Sequence, residues 1–404
     1  MTTPVVLVAH SLLWPNAARL AIACKNAGFS VAAIARREHP LHKMRSPDRT
    51  FVYLPHDARG SLRRAIELCR PQLIMPCDDR VVAHLHTLHS EYARAGNPTA
   101  KLIETSLGHP DSYEIVRKRS LLGKLAFLPG VRIPQGDMVD SLSRLKAWVA
   151  LHGLPALLKL DGRTGGQDLI LLSKRADLAN DYLNMKVRQC GMRALWNAIR
   201  RGDVETILSE WRDGLPAMSV QSMAPGRPAN CAVACWRGEV ISFVAVETVR
   251  ARSTFGVATL VRRVEGGAMR AAAESIVRHL GISGMCGFDF MIDEDSQEAT
   301  LVEINPRATQ INHFPLAPQA DLSTALLSAL GGRPAAAPPF STPYETPIAL
   351  FPQACGSDAA SLGLAGVFHD APHEEPELLM YYGHEPLRGE QLSSGSVAVR
   401  SGAG

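Results

Sequence analysis

Hydrophobic and polar positions divide the chain into two regimes. Up to about residue 107, short apolar runs alternate with segments of helical period. Residues 5–9, 31–35, 51–54 and 73–75 read as strands. Residues 17–27, stopped by Gly28, and 61–70 read as helices, and Ile103-Glu104 as a further short strand. Alternation of this kind predicts an α/β domain around a parallel sheet.

Beyond residue 107 the strands come in hairpins. Residues 112–127 read as one helix with Asp111 as its N-cap, and 131–134 as a short extended piece. Residues 154–172 form a strand pair around a glycine-rich tip, Gly162 to Gly166, with Lys159 inside the apolar first strand. Residues 174–212 are polar and helical, and 218–223 is a strand broken by Ala224-Pro225-Gly226. Residues 231–236 and 240–247 pair across Arg237-Gly238, and 269–280 is a helix capped by Gly281. The helix at 322–330 ends on Gly331-Gly332, residues 333–347 are Pro/Ala-rich, and a few short strands follow.

The most informative pattern lies at 287–307. Phe288, Phe290 and Ile292 alternate with Asp289 and Met291, a polar turn follows at 293–298, and Leu301, Glu303 and Asn305 share one face of the returning strand. A turn centred on Ser296 sets Asp289 opposite Glu303, with Cβ atoms roughly 5 Å apart. Carboxylates among apolar neighbours need a cation, and oxygen ligands alone select a hard one such as Mg²⁺. The alternative is an acidic, solvated surface hairpin, which the flanking apolar residues oppose. Pro306 ends the strand, and Arg307 sets a guanidinium beside the carboxylates, suited to phosphate.

Composition changes this picture little. Hydrophobic residues make up 46% and charged residues 20%, as in globular proteins, and a net charge of +4 is too small to indicate nucleic acid. The eight cysteines form no CxxC pair and read as buried thiols. No apolar run reaches membrane-spanning length and no signal peptide is legible, so a cytoplasmic location is expected. Neither a P-loop nor a dinucleotide fingerprint is present. Asp78 and Asp79, after the strand at 73–75, suit either a ligand site at a strand end or a helix N-cap. His84, His86 and His89 do not share one helix face and read as core or solvated histidines.

In order and spacing these pieces resemble the ATP-grasp superfamily across about residues 1–330. The resemblance implies an N-terminal parallel α/β domain (1–107), an ATP-grasp core (108–332) with a lid near 135–217, and a linker with a small C-terminal appendage (333–404). It implies that Lys118, ahead of Gly130-Val131 and Pro134, and Lys159 reach ATP phosphates, with Lys124 as the lesser candidate for the first. Gly165 and Gly166 would lie in the mobile loop. Gln221 stands where a Glu often accepts from the adenine amino group, and Met223 and Ala224 would offer backbone groups to the ring. Asp289, Glu303 and Asn305 would hold Mg²⁺ or Mn²⁺, with Lys159 and Arg307 assisting phosphoryl transfer. The family departs here in Asp168, where Gly is more usual, and in Pro228, near the place of a ribose-binding acid. The implied function is ATP-dependent joining of a small-molecule carboxylate to an amine or other nucleophile. The alternatives are a nucleotide-binding protein of little activity and a small-molecule kinase. Arg250, Arg252, Arg262 and Arg263 are candidates for holding a substrate carboxylate, with solvated charge as the alternative.

Overall fold

Four apolar runs form the first sheet: β1 (Val5–Ala9), β2 (Ser30–Ala35), β3 (Arg49–Val52) and β4 (Leu73–Pro76). All pairings are parallel, in the order β3-β2-β1-β4. The computed structural model describes residues 3–161, 169–191, 215–316, 320–336, 341–354 and 366–383. α1 (Asn16–Ala27) and α2 (Ala58–Cys69) are crossovers, and α3 (Asp79–Arg94) and α4 (Thr99–Leu107) follow β4. Gly28, at φ 113, ends α1 in the left-handed region that glycine tolerates.

Ile103-Glu104, expected as strand, lies inside α4. Ala100, Ile103 and Leu107 are buried at helical spacing, and that period outweighs the β-branched residue. The single helix expected at 112–127 is also corrected. It is α5 (Tyr113–Arg117), an extended Lys118 at φ −111 and ψ 107, and then 3₁₀ turns over Arg119–Leu125. Asp111 is not its cap; it lies in the 3₁₀ turn Pro110–Ser112, where its N–H donates to the His109 ring.

A second sheet contains β5 (Gly136–Met138), β6 (Ala156–Leu160), β7 (Leu169–Leu172) and β8 (Met218–Ser222), antiparallel in the order β5-β8-β6-β7. It is covered by α6 (Leu142–His152) and α7 (Leu178–Gln189). Leu145, Trp148, Tyr182, Met185 and Val220 form its separate core. Residues 162–168, with the predicted glycine loop and Asp168, and 192–214 lie outside the described residues.

The third sheet has seven strands. They are β9 (Arg227–Trp236), β10 (Glu239–Ala251), β11 (Ala258–Val264), β12 (Gly284–Ile292), β13 (Ala299–Asn305), β14 (Ile348–Leu350) and β15 (Phe368–Asp370). Their order is β13-β12-β9-β10-β11-β14-β15. α8 (Gly267–Leu280) packs on one face through Met269, Ile276 and Val277, against Val233, Cys286 and Phe288. On the other face, Ala232, Val244 and Met285 share one core with Val6 and Val31 of the first sheet and with α9 (Leu322–Ala329). The parallel domain and the large sheet are thus joined by continuous apolar burial.

The C-terminal strands complete this sheet: β14 pairs with β11, and β15 runs parallel to β14. Asp370, buried at the end of β15, pairs with Arg19 of α1 and lies 2.8 Å from the His313 ring nitrogen Nε2. After it, α10 (Pro376–Tyr381) is preceded by Glu375, which accepts from the Arg45 and Ser46 backbone N–H groups at 3.1 and 2.7 Å.

Candidate active site

Asp289 and Glu303 are direct cross-strand partners on β12 and β13. The pairing contains a shift the alternation did not foretell. Phe290 pairs with Leu301, so Val302 is an extra, bulged residue. The expectation that Leu301, Glu303 and Asn305 share a face is therefore corrected. Leu301 joins Phe288, Phe290 and Ile304 in the core, and the bulge turns Glu303 to the opposite side.

On that side charge is densely compensated. The Asn305 amide Nδ2 donates to Asp289 Oδ2 at 3.0 Å. Arg307, 7% exposed, donates through one terminal nitrogen to Asn305 Oδ1 at 2.9 Å and through Nε to Asp79 Oδ1 at 3.0 Å. Burial, and then the neighbouring Glu303 carboxylate, raise Asp289 above the usual carboxylate range. Asp289 and Glu303 supply carboxylate oxygens and Asn305 an amide oxygen, a donor set that fits Mg²⁺ or Mn²⁺. Among the described residues no group of three or more His, Cys, Asp or Glu is arranged to hold a metal, so a cation here would complete its shell with Asn305 and phosphate or water oxygens.

Glu303 pairs with Arg119, a residue that neither the hairpin pattern nor the resemblance singles out. Lys118 is half-exposed and pairs with Glu114 at 2.6 Å, one helical turn back. Arg119 pairs with Glu303 and donates to the Leu160 carbonyl at 2.9 Å. The extended backbone at Lys118 turns the following residue inward. A signal for this exists in the sequence. Tyr113 and Val116 set one helical phase, whereas Leu122 and Leu125 lie out of it.

Lys159, on β6, is buried, and its Nζ donates to Gln221 Oε1 on neighbouring β8 at 2.6 Å. Burial, and then the Arg119 charge, lower the Lys159 pKa to about 8. Asp161, just past β6, is raised by burial and accepts from the Ser120 hydroxyl at 3.1 Å. A cleft lined by Arg119, Gly136, Lys159, Ser219 and Gln221 runs between the second sheet and the 3₁₀ segment. Met223 and Ala224 follow at the end of β8, Met223 partly exposed and Ala224 buried. Gly165 and Gly166 lie outside the described residues.

The depressed Lys159 gives a pH dependence with two signs. Between about 8 and its unfolded value of 10.5 the unfolded chain binds a proton that the folded chain does not, so this group makes the free protein more stable as pH rises through that window. An anionic phosphate requires the ammonium form. With Lys159 as the phosphate ligand, nucleotide affinity is expected to fall as pH rises through 8, with proton uptake on binding at pH values above about 8. Calorimetry in buffers of differing ionisation enthalpy checks this, and Lys159→Arg should flatten the affinity profile.

Other candidates have ordinary structural explanations. Asp78 caps α3 by accepting from the Val81 N–H at 2.9 Å and also accepts from Ser11, while its neighbour Asp79 holds Arg307. His86 stacks on Tyr113 at 3.7 Å and His89 bonds Glu104 at 3.0 Å. Arg262 pairs with Glu247, Arg252 donates to the Gln353 carbonyl at 3.3 Å, and Arg263 lies over the Tyr344 ring at 3.9 Å. No helix among the described residues is long and apolar enough to cross a membrane.

Comparison with known proteins agrees with this architecture. A search of curated proteins found no match. Among solved structures, the N5-carboxyaminoimidazole synthetase of Staphylococcus aureus aligns with TM-score 0.56 and 13% identity, over 85% of this chain and 80% of that one. The biotin carboxylase domain of Hydrogenobacter thermophilus 2-oxoglutarate carboxylase, in complex with MgADP, ADP and bicarbonate, aligns with TM-score 0.57 and 14% identity, over 85% and 73%. The carboxyaminoimidazole ribonucleotide synthase of Aspergillus clavatus, complexed with ATP, aligns with TM-score 0.59 and 14% identity, over 86% and 80%. Likeness at this identity establishes the fold. A family model described as an ATP-grasp domain matches residues 202–310, which include Gln221, Asp289, Glu303, Asn305 and Arg307. Residues 202–310 thus match an ATP-grasp domain, and the fold around them is one shared with these solved structures.

Proposed function

We propose that the chain is an ATP- and magnesium-dependent ligase that joins a small-molecule carboxylate to an amine or other nucleophile through an acyl phosphate, releasing ADP and phosphate. The observation that carries this reading is the opposed Asp289–Glu303 pair, which shares one side of its hairpin with Asn305 and has Arg119 and Arg307 against it. Phosphoryl transfer needs positioning and charge neutralisation more than a protein nucleophile. In this reading Asp289, Glu303 and Asn305 hold the cation, which when bound neutralises phosphate charge. Lys159 and Arg119 hold the phosphates, Lys118 lies at the rim, and Gly165 and Gly166 belong to the loop that covers them. Met223 and Ala224 take the base edge beside Gln221. Arg307, fixed by Asp79, steadies the transferring group. The substrate carboxylate attacks the γ-phosphorus, the bond to the ADP oxygen breaks, and the amine then displaces phosphate from the acyl carbon.

Support also comes from two proteins of this fold, a biotin carboxylase domain in complex with MgADP, ADP and bicarbonate and a carboxyaminoimidazole ribonucleotide synthase complexed with ATP. A cytoplasmic location follows from the same reading, since that compartment supplies ATP. The test is ADP release across a matrix of small acids, bicarbonate included, and amines. Release only where acid and amine are both present is expected. ADP formed with an acid alone, together with a stable phosphorylated product, would reassign the site to a kinase.

A further inference from the structure

We infer that Asn16, the first residue of α1 in the parallel domain, is a positioning residue for Arg307. The inference rests on the ligase reading above and adds to it the group that sets where Arg307 lies. The Arg307 guanidinium is fixed at three points. Nε donates to Asp79 Oδ1 at 3.0 Å, one terminal nitrogen to Asn305 Oδ1 at 2.9 Å, and the other to the Ala308 carbonyl at 3.4 Å. Asp79 and Ala308 belong to segments that meet between the first and third sheets, one following β4 and one following β13. Asn16 joins these segments. Its Nδ2 donates to the Cys77 carbonyl at 2.8 Å and to the Ala308 carbonyl at 3.4 Å. The Ala308 oxygen thus takes the Asn16 amide and the Arg307 guanidinium together, as a carbonyl with two lone pairs can.

The backbone pins the same spot. The Ala308 N–H donates to the Pro76 carbonyl at 2.9 Å, and the Thr309 N–H donates to Asn312 Oδ1 at 2.5 Å. Asn16 adds the spacing between the Ala308 carbonyl and Cys77, two residues ahead of Asp79. Its orientation is fixed by chemistry. Both partners are carbonyls, which only accept, so the amide nitrogen must face them. Oδ1 then points away, and it is buried with no hydrogen-bond partner among the described residues. An unsatisfied buried oxygen costs about as much as two hydrogen bonds return, and the second bond here is long. A leucine of similar volume would avoid that cost. The amide therefore contributes position more than stability, and the position it sets is that of the carbonyl against Arg307. In the reading above Arg307 steadies the transferring group, so its displacement is felt where ATP differs from ADP.

The experiment is calorimetric titration of the full chain with Mg-ATP and with Mg-ADP, which differ only in the γ-phosphate. Asn16→Leu keeps the volume and removes the amide. It should melt no lower than the unaltered protein, bind Mg-ADP within about twofold of it, and bind Mg-ATP about tenfold more weakly, the scale of one charge-assisted contact put out of place. Asn16→Ala should show the same split, so the outcome does not hang on one variant folding. In an Arg307→Lys background Asn16→Leu should add less than about twofold, because the amide acts through the guanidinium. Unchanged Mg-ATP affinity in Asn16→Leu, or Mg-ADP affinity lowered in step with it, would overturn the inference and leave the ligase reading standing. So would the full loss appearing again in the Arg307→Lys background. An unaltered protein that binds neither nucleotide would defeat both.

Discussion

Replacing Glu303 with glutamine is expected to abolish the thermal stabilisation given by Mg-ATP and to cut ADP formation by about a thousandfold or more. That is the scale of the several kcal/mol of charge stabilisation a catalytic metal provides. The same change should alter the metal-free protein little, because two effects oppose. It removes the repulsion with Asp289, and it weakens the ion pair with Arg119. Arg119 keeps its bond to the Leu160 carbonyl, which limits the loss. The measurement is thermal unfolding with and without Mg-ATP, set beside ADP release. A variant that retains the full Mg-ATP shift would falsify the assignment of Glu303 as a metal ligand. Asn305→Ala should lose the shift as well, and it also leaves the Asp289 carboxylate without its amide donor.

The second large effect is expected at Arg307. Its guanidinium is buried and bridges Asp79, at the start of α3, to Asn305, at the end of β13. Arg307→Ala should destabilise the fold by roughly 2–4 kcal/mol. This lies low in the range for breaking a buried ion pair, because Asp79 keeps 24% of its side-chain surface and can recover water. Activity should fall by more than the stability loss explains at temperatures where the variant remains folded. Arg307→Lys separates the two roles. A lysine restores charge but cannot reach both partners as a planar fork does, so it should recover stability more than turnover. Equal recovery of both would confine Arg307 to holding the two domains together.

What could be read in advance follows the range of the interactions involved. The β12–β13 hairpin was legible because alternation, turn and register are local, and Asp289 faces Glu303 as the turn position implied. The bulge at Val302 was not, since an extra residue in a strand leaves no mark unless it is glycine. Lys159 stood out as a charge within an apolar run, but its partner Gln221 is 62 positions away, and nothing in either segment announces the contact. Lys118 carries the resemblance through its distance to Gly130-Val131, which says nothing of the break in the helix that brings Arg119 to Glu303. The slip in apolar phase between Val116 and Leu122 is the local sign of that break. Ile103-Glu104 alone is too short a window to reveal the helical period through Ala100 and Leu107. The three-residue strands β14 and β15 carry almost no pattern, and their place is set by β11, over 80 positions earlier (Val261 pairs with Ile348).

The strands at the far end of the chain bear on the order in which the protein is made. The strand pairing of the first sheet ends with β4, so it can form early in synthesis, although one of its faces is covered only by the later α9 and large sheet. Arg19 is then in place on α1, yet its partner Asp370 lies 351 positions later. Until β15 emerges, that guanidinium lacks its Asp370 partner, and until β14 emerges one edge of β11 has no neighbour. An open strand edge on a nascent chain is a place for mispairing. The large sheet therefore reaches its final form only after β14 and β15 have been made. Ribosome-bound chains halted before residue 348 should hold a protected first sheet and an unprotected β11, a difference that hydrogen exchange on stalled complexes would resolve.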